Sequence, residues 1–253
     1  MNKYLCKIVT VQSNAIRILC EALKDILTDV NLQISKDGIK IIAMDGSKVA
    51  IINLKLEANK FEEFYCNKEL KVGINMTSLH KIIKSIKNND VLSLYITENE
   101  NNKLCIEINN KEKKTNILTT LKLLDIDEDI LEIPNIKFDS VITMPSNDFQ
   151  NYIRELSIIT NKVKIESIDS KFTLYGQGDF AETIINIGEI SNDSNNKNVA
   201  SEIFNLKYLL LFTKSTNLCT TVEIYLKNKF PLILIYNVAN LGKLQYCLAP
   251  LHE

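Results

Sequence analysis

Residues that could carry out catalysis are few in this chain, and their spacing does not suit catalysis. The two histidines, His80 and His252, have no cysteine or carboxylate at the spacing of a metal site. No phosphate-loop, dinucleotide, zinc-protease or serine-hydrolase motif occurs, and 7 glycines leave little material for a loop that cradles phosphate. We therefore predict a protein that is not an enzyme, with no catalytic residue, no cofactor and no metal.

The densest group of carboxylates lies near the middle of the chain, in the segment LKLLDIDEDILEIP at 121–134. A cation-binding loop needs glycine turns and a spaced set of oxygen ligands, and this segment has neither. Pro134 cannot donate to a strand ladder and biases Ile133 towards extended backbone. The pattern is typical of a solvated acidic connector, although a cation site stays possible.

Leu131 and Ile133 alternate onto one face of this extended segment. Two interpretations are open for them. The leucine and isoleucine could fold back onto the nearest core, as composition favours. An ordered apolar stripe on a connector could instead mark a contact site.

Basic residues recur on the outward faces of four predicted helices. Solvated helix surface explains any one of these faces, and Glu21 and Glu155 interrupt the pattern. The repetition over four helices suggests contact with DNA, although spacing alone does not establish it. The candidate DNA-facing residues are Arg17, Lys24, Lys81, Lys84, Arg154, Lys207 and Lys214.

Composition restricts the class of protein. With 253 residues and 45% hydrophobic content, one large or two small domains are expected. A net charge of −1 gives no global attraction for nucleic acid. The six cysteines have no CxxC pair, and no apolar run approaches a membrane span. We expect a soluble, intracellular protein with reduced thiols and no membrane partner.

The apolar periodicity predicts the same order of elements twice. Helices are predicted at 13–27, 78–87, 146–157 and 205–214, each followed by strands. Ser13 or Asn14, then Thr77, then Ser146 after Pro145, are the predicted N-terminal caps. The offset of roughly 130 residues indicates an internal duplication. We predict an α+β fold with two like domains, at 1–120 and 135–253, joined by a connector at 121–134.

Several segments closely resemble the eukaryotic sliding clamp family, proliferating cell nuclear antigen. The similarity runs in order through essentially the whole chain, without large insertions. Its segments are CEALKDI, IAMDGSKVAIINL, VGINMTSLHKIIK, the connector, MPSNDF, LKYLLLFTKST and PLILIYNVANLGKLQYCLAP.

The resemblance implies a nuclear, homotrimeric DNA clamp, in which helices line the hole of a ring and antiparallel sheets form its outer wall. Such a ring encircles double-stranded DNA without reading its sequence and is placed there by an ATP-dependent clamp loader. It tethers DNA polymerase and other replication and repair proteins that carry short clamp-binding peptides. A subunit of a heterotrimeric checkpoint-type clamp and a monomeric clamp-fold accessory factor are the alternatives.

In the family, partner peptides enter a pocket under the connector. Lys48 stands where family clamps usually have histidine, and Cys247 where they usually have tyrosine, so we expect a shallower pocket. Asn151 replaces a usual basic residue, and the short loop at 168–171 has no clear counterpart of the family's modified lysine. By matching motif, the pocket residues are Met44, Lys48, Val49, Leu131, Ile133, Pro231, Cys247, Ala249 and Pro250.

Two strand edges are predicted to join subunits. The stretch at 115–121 in the first domain and the stretch at 183–187 in the second carry apolar residues that an exposed edge would need to cover. The predicted interface residues are Thr115, Leu121, Thr183, Ile185 and Ile187.

Overall fold

Antiparallel sheets and short amphipathic helices alternate along the chain in the computed structural model, which describes residues 3–127, 138, 140–168, 171–188 and 199–251. The described residues form two compact units. The first comprises Met1–Gly46, Ile52–Leu131 and Asn237–Leu244, and the second Ser47–Ile51, Glu132–Tyr236 and Gln245–Glu253. The predicted α+β class with two helix-and-sheet halves is confirmed.

In the first half of the chain, the described residues form two α-helices and nine strands. The helices are α1 (Ser13–Leu23) and α2 (Met76–Ile83). The strands are β1 (Tyr4–Thr10), β2 (Asp29–Ser35), β3 (Gly38–Met44), β4 (Ala50–Glu57), β5 (Glu63–Cys66), β6 (Leu70–Asn75), β7 (Asp90–Thr97), β8 (Glu100–Asn110) and β9 (Thr115–Lys122).

In the second half, the described residues again show two α-helices, now with eight strands. The helices are α3 (Ser146–Ser157) and α4 (Leu206–Phe212), and a 3₁₀ helix follows at Thr213–Leu218. The strands are β10 (Ser140–Pro145), β11 (Lys162–Ile168), β12 (Lys171–Gln177), β13 (Glu182–Ile187), β14 (Val199–Asn205), β15 (Thr221–Leu226), β16 (Leu232–Val238) and β17 (Gly242–Leu248).

Each unit packs its helices on sheets. In the first unit, a five-stranded sheet runs in the order β5-β1-β7-β8-β9, while β4, β3, β2 and β6 are successive neighbours in another sheet. In the second, β13-β12-β11-β14 form one sheet, and β10, β15 and β16 are successive neighbours. Helix α1 packs on α2 and β7, and α3 packs on α4, β10 and β15. Burial of the apolar helix faces against the sheets creates both cores.

Helix α1 differs from its prediction in length and cap. It ends at Leu23 instead of residue 27, and its N-cap is Gln12, without a side-chain capping bond. The Ser13 hydroxyl is buried and donates to the carbonyl of Asp90 at 2.6 Å, and Asn14 accepts from Arg17 instead. Tertiary hydrogen bonding therefore takes the side chain that spacing assigned to the cap.

The predicted caps of α2 and α3 are also wrong. Asn75 caps α2, where its Oδ1 accepts from the Ser78 amide at 2.9 Å, so Thr77 is not the cap. Ser146 is buried and donates to the carbonyl of Cys219 at 2.6 Å. Asparagine in extended backbone is a strong N-cap, so the local sequence did contain the signal for Asn75.

Candidate functional site

Basic side chains of α1 and α2 share one surface in the first unit. Lys81 on α2 and Lys84, which directly follows α2, are exposed. Arg17 on α1 and Lys24, which directly follows α1, are half-buried. His80 lies between them. Its pKa is lowered by partial burial and by the neighbouring charges of Lys24, Lys84 and Arg17, against an opposing effect of Glu21. Because cations from both helices act on one imidazole, the helices present a joint positive surface.

Acidic neighbours partly offset the charge contributed by α1. The Arg17 guanidinium contacts Glu21 at 3.3 Å and also donates to Asn14. The Lys24 ammonium lies 3.7 Å from Asp25. Among the described residues, no ion pair is recorded for Lys81 or Lys84. In the described part of the chain, the charges of Lys81 and Lys84 are therefore not offset by an ion pair as those of Arg17 and Lys24 are.

The second unit repeats the pattern more sparsely. Arg154 on α3 and Lys207 on α4 are exposed, and the Asn205 side chain caps α4 by accepting from the Lys207 amide at 2.9 Å. Lys214 is exposed too, but α4 ends before it, and it belongs to the 3₁₀ helix. Since α3 packs on both α4 and that helix, all three cations lie on neighbouring elements.

The first residues of the connector are bound to the edge of β6. The Leu124 amide donates to the carbonyl of Gly73 at 2.9 Å, and the Asn31 side chain donates to the carbonyl of Ile126 at 3.0 Å. A Cβ at position 73 would collide with the Leu124 carbonyl, so glycine allows this close approach. Asp125 and Asp127 are exposed to solvent. Sequence reasoning did not identify Gly73 or Asn31, although an isolated strand glycine can indicate close backbone approach.

The residues predicted for the peptide pocket are divided between the two units, with Met44 in the first and Lys48 in the second. Met44 is half-buried at the end of β3 in the first unit. Lys48 is exposed with a φ of 58°, in the left-handed region. Leu131 and Ile133 lie outside the described residues.

The remaining pocket residues belong to the second unit. The Ala249 amide donates to the Val49 carbonyl at 3.0 Å, and beyond Pro250 the Leu251 amide donates to the Ile203 carbonyl at 2.8 Å. Pro231 is exposed, just before β16. Cys247 is only 7% exposed, and the Gln245 amide group contacts its sulfur at 3.4 Å. These hydrogen bonds hold the C-terminal residues beside Val49, whereas Cys247 offers little accessible surface.

Two edge strands carry the residues that were predicted to join subunits. β9 is an outer strand of its sheet, and β13 is an outer strand of another. Thr115 is exposed at the start of β9, while Leu121, Thr183, Ile185 and Ile187 are half-buried. Exposed apolar neighbours that sequence reasoning did not single out are Ile117 (52%), Leu118 (58%), Phe180 (76%) and Ile184 (56%).

Among the described residues, no group of three or more histidine, cysteine or carboxylate side chains is arranged to hold a metal ion. No helix in the described part of the chain is long and apolar enough to cross a membrane.

Comparison with known proteins agrees with this arrangement. Residues 7–130 match the family described as proliferating cell nuclear antigen, N-terminal domain, and residues 132–251 match its C-terminal domain. A probable DNA polymerase sliding clamp 1 of Paramecium bursaria Chlorella virus 1 is 36% identical, over 98% of this chain and 97% of the relative. The proliferating cell nuclear antigen of Chaetomium thermophilum is 31% identical, over 94% and 95% respectively. The chain therefore belongs to the proliferating cell nuclear antigen family.

Proposed function

We propose that this protein is a DNA sliding clamp, a processivity factor that encircles duplex DNA and tethers polymerases and repair proteins. The observation that carries the proposal is the match of both clamp domains, end to end, over nearly the whole chain. A relative named as a DNA polymerase sliding clamp supports it. We further propose domains at 1–120 and 135–253, a connector at 121–134, and a protein that acts without catalysis of its own.

The positive helix surfaces are proposed to face DNA. A clamp must hold DNA without reading it, so its cations should touch phosphates and leave base edges alone. The exposed Lys81, Lys84, Arg154, Lys207 and Lys214, with the half-buried Arg17 and Lys24, suit weak and sequence-independent contacts. Closure of a ring would supply persistence, which makes a net charge of −1 tolerable.

Pairing of β9 from one subunit with β13 of the next is proposed to close a homotrimer. In the described part of the chain, each is an outer strand of its sheet and carries an exposed isoleucine. An exposed apolar edge is an aggregation hazard unless another strand covers it. Light scattering separates this arrangement from its alternatives: a pure trimer fits a homotrimeric clamp, whereas a stable monomer would contradict it.

The connector and the C-terminal residues are proposed to form the site for partner peptides. Val49, Ala249 and Pro250 lie together, and the start of the connector is bound to β6 through Gly73. Leu131 and Ile133 would supply apolar contacts to a short helix of the partner. Truncation of a central anchor typically costs about 2 kcal/mol, so Leu131→Ala should weaken a labelled clamp-binding peptide roughly thirtyfold. Equal affinities with an intact trimer would place the partner site elsewhere.

Primer extension on circular and on linear DNA tests the clamp function directly. An ATP-dependent loader and a polymerase from a related system should extend primers on circular DNA much further when this protein is present. On linear DNA with free ends the ring slides off, so stimulation should be small. Equal stimulation on both templates would contradict encirclement. We expect the protein to act in the nucleus, where replication of nuclear DNA takes place.

A further inference from the structure

Two cysteines stand directly opposite each other on neighbouring antiparallel strands of the first unit. Cys6 on β1 pairs with Cys66 on β5, and both thiols are free. Directly opposite side chains project from the same face of a sheet. By contrast, the paired strands place Tyr95 and Thr120 opposite Cys105. Cys6 therefore faces a cysteine across the strand pair, whereas Cys105 faces a tyrosine and a threonine.

A hydrogen bond beside this pair holds the backbones of the two strands close together. The amide of Asn67, which follows Cys66, donates to the carbonyl of Leu5, which precedes Cys6, at 3.0 Å. A bond between the flanking residues identifies Cys6–Cys66 as a non-hydrogen-bonded antiparallel pair. Cα atoms in such pairs lie roughly 4.5 Å apart, within the range of about 4.4–6.8 Å that disulfides span.

We propose that Cys6 and Cys66 form a reversible disulfide when the protein meets a peroxide, tying the edge strand β5 to β1. The two cysteines differ in access. Cys6 is 1% exposed, whereas Cys66 is half-buried and donates its thiol hydrogen to the carbonyl of Lys68 at 2.9 Å. Cys66 is therefore the residue that a peroxide reaches first, and Cys6 resolves the product.

The chemistry balances in two steps. The Cys66 thiolate attacks one peroxide oxygen, the O–O bond breaks, and a sulfenic acid and hydroxide form. The Cys6 sulfur then attacks the Cys66 sulfur, the S–O bond breaks, and the departing hydroxide takes up a proton as water. Two thiols and one hydrogen peroxide thus give one disulfide and two waters, with two electrons passing from sulfur to oxygen.

The environment of both thiols makes this reaction slow at neutral pH. Burial, with a smaller contribution from the nearby Cys66, raises the pKa of Cys6 to about 11, and burial also raises the pKa of Cys66. Because the thiolate is the nucleophile, the rate should increase as pH rises. The link would encompass β2, β3 and β4, so it should restrain the unfolded chain strongly.

The test treats the full-length protein with hydrogen peroxide and then alkylates the remaining thiols. Cys219, which is half-buried outside the strands, is replaced by serine throughout to prevent links between molecules. Before alkylation, we expect the intact mass to fall by two hydrogens. After alkylation, we expect a peptide map to join Cys6 to Cys66, and dithiothreitol to reverse both changes. The melting temperature should rise by roughly 5 °C or more, and amide exchange in β5 should slow.

Two matched variants give the decisive comparison. In Cys66→Ser, the joined peptide and the rise in melting temperature should both be absent. If this variant is unstable, Cys6→Ala takes its place and should give the same result. A map in which Cys66 is oxidised to sulfinic acid while Cys6 remains free to alkylate would overturn the proposal. An unchanged rise in melting temperature in Cys66→Ser would overturn it as well. Neither result bears on clamp loading, so the two proposals stand or fall separately.

Discussion

At the scale of single residues, His80 links the two basic helices of the first unit. It is half-buried on α2, and Arg17, Glu21 and Lys24 of α1 act on it together with Lys84 of its own helix. Burial and the excess of cations lower its pKa below the usual 6.5, so the imidazole is neutral at pH 7. Protonation would therefore add a positive charge to a surface that is already positive.

Lowering the pH from about 7.5 to about 5.5 should tighten binding of the clamp to DNA and steepen its salt dependence, by at most roughly 0.9 in the slope. His80→Gln should bind DNA with little dependence on pH in this range. The measurement is a salt titration of DNA binding at both pH values. If DNA binding by wild type and by His80→Gln changes identically with pH, protonation of His80 does not affect DNA binding.

The same shift predicts how stability depends on pH. A histidine with a lowered folded-state pKa binds fewer protons in the folded state than in the unfolded chain. The contribution of His80 to the free energy of unfolding is therefore fully present above pH 6.5, the pKa of histidine in the unfolded chain. It is lost as the pH falls through the lower pKa of the folded state. His80→Gln should reduce this loss, which denaturant unfolding at several pH values would detect.

Cys247 stands in the proposed peptide pocket where the resemblance leads us to expect tyrosine in the family. Its side chain is small and 7% exposed, beside Gln245. We expect Cys247→Tyr to restore an aromatic floor and to tighten peptides that carry paired aromatic anchors. Cys247→Val, which adds volume without a ring, is the matched control. Fluorescence titrations that give both variants the wild-type affinity would place the anchors away from residue 247.

At the scale of elements, the outer strands β9 and β13 both carry exposed apolar side chains. In β13, Ile185 lies opposite the buried Leu174 of β12, whereas Ile184 projects from the other face and is 56% exposed. A subunit that pairs with β13 would cover this edge, and a lysine in it would place a charge in the junction.

Ile185→Lys should therefore open the ring and shift the mass measured by light scattering from trimer towards monomer. Val141→Lys is the matched control, because Val141 is a 55% exposed strand residue on β10, in the same unit. Circular dichroism would establish that both variants are folded. A stable trimer of Ile185→Lys would contradict the proposed junction.

Helix α1 does not fill the core of the first unit completely. A cavity of about 60 Å³ is lined by apolar side chains that include Cys20, Leu23, Ile39 and Leu79. At about 24 cal/mol per Å³, a void of about 60 Å³ lowers the free energy of unfolding by about 1.4 kcal/mol. Cys20→Val should recover up to about 1 kcal/mol of this, and Cys20→Ala should lose stability. Denaturant midpoints that move in the opposite order would show that the cavity cannot accept the added methyl group.

At the scale of the whole molecule, distribution of charge matters more than its total. The net charge is −1, yet seven of the 30 lysines and arginines lie on or directly after α1 to α4 and the 3₁₀ helix at Thr213–Leu218. Phosphate contact through a few cations gives an affinity that depends on salt but not on base sequence. Local charge can thus hold DNA in a protein with no overall attraction for it.

Replacing Lys81, Lys84 and Lys207 together by alanine should lower loading on DNA and reduce the slope of log affinity against log salt by roughly 0.9 per lost contact. The matched control replaces Lys36, Lys40 and Lys55, which are also exposed but lie in the turn before β3, on β3 and on β4, respectively. That control changes the net charge by the same amount and should keep the slope. Equal slopes for both triple variants would reject the DNA-facing assignment.

The helices, most of the strands and the family of this protein could be predicted from its sequence alone. Apolar spacing located the four α-helices of the described residues, because a helix must turn one stripe towards the core whatever it packs against. Alternation and turn signals such as Asp37-Gly38 located most strands, and Gly38 does take a positive φ of 140°. Runs of family-like sequence identified the clamp family, since several segments matched in order.

Only the tertiary structure decided which groups meet. Ser13 and Ser146 have the chemistry of caps, but each donates to a carbonyl distant in sequence, because a buried hydroxyl takes whichever acceptor the packed chain presents. The sequence analysis did not predict the pairing of β1 with β5, and this pairing is what sets Cys6 opposite Cys66. Register between strands, contact between helices and the fit of Gly73 against the connector are long-range properties. A local pattern in sequence cannot specify them, since their free energy comes from residues that the chain brings together only on folding.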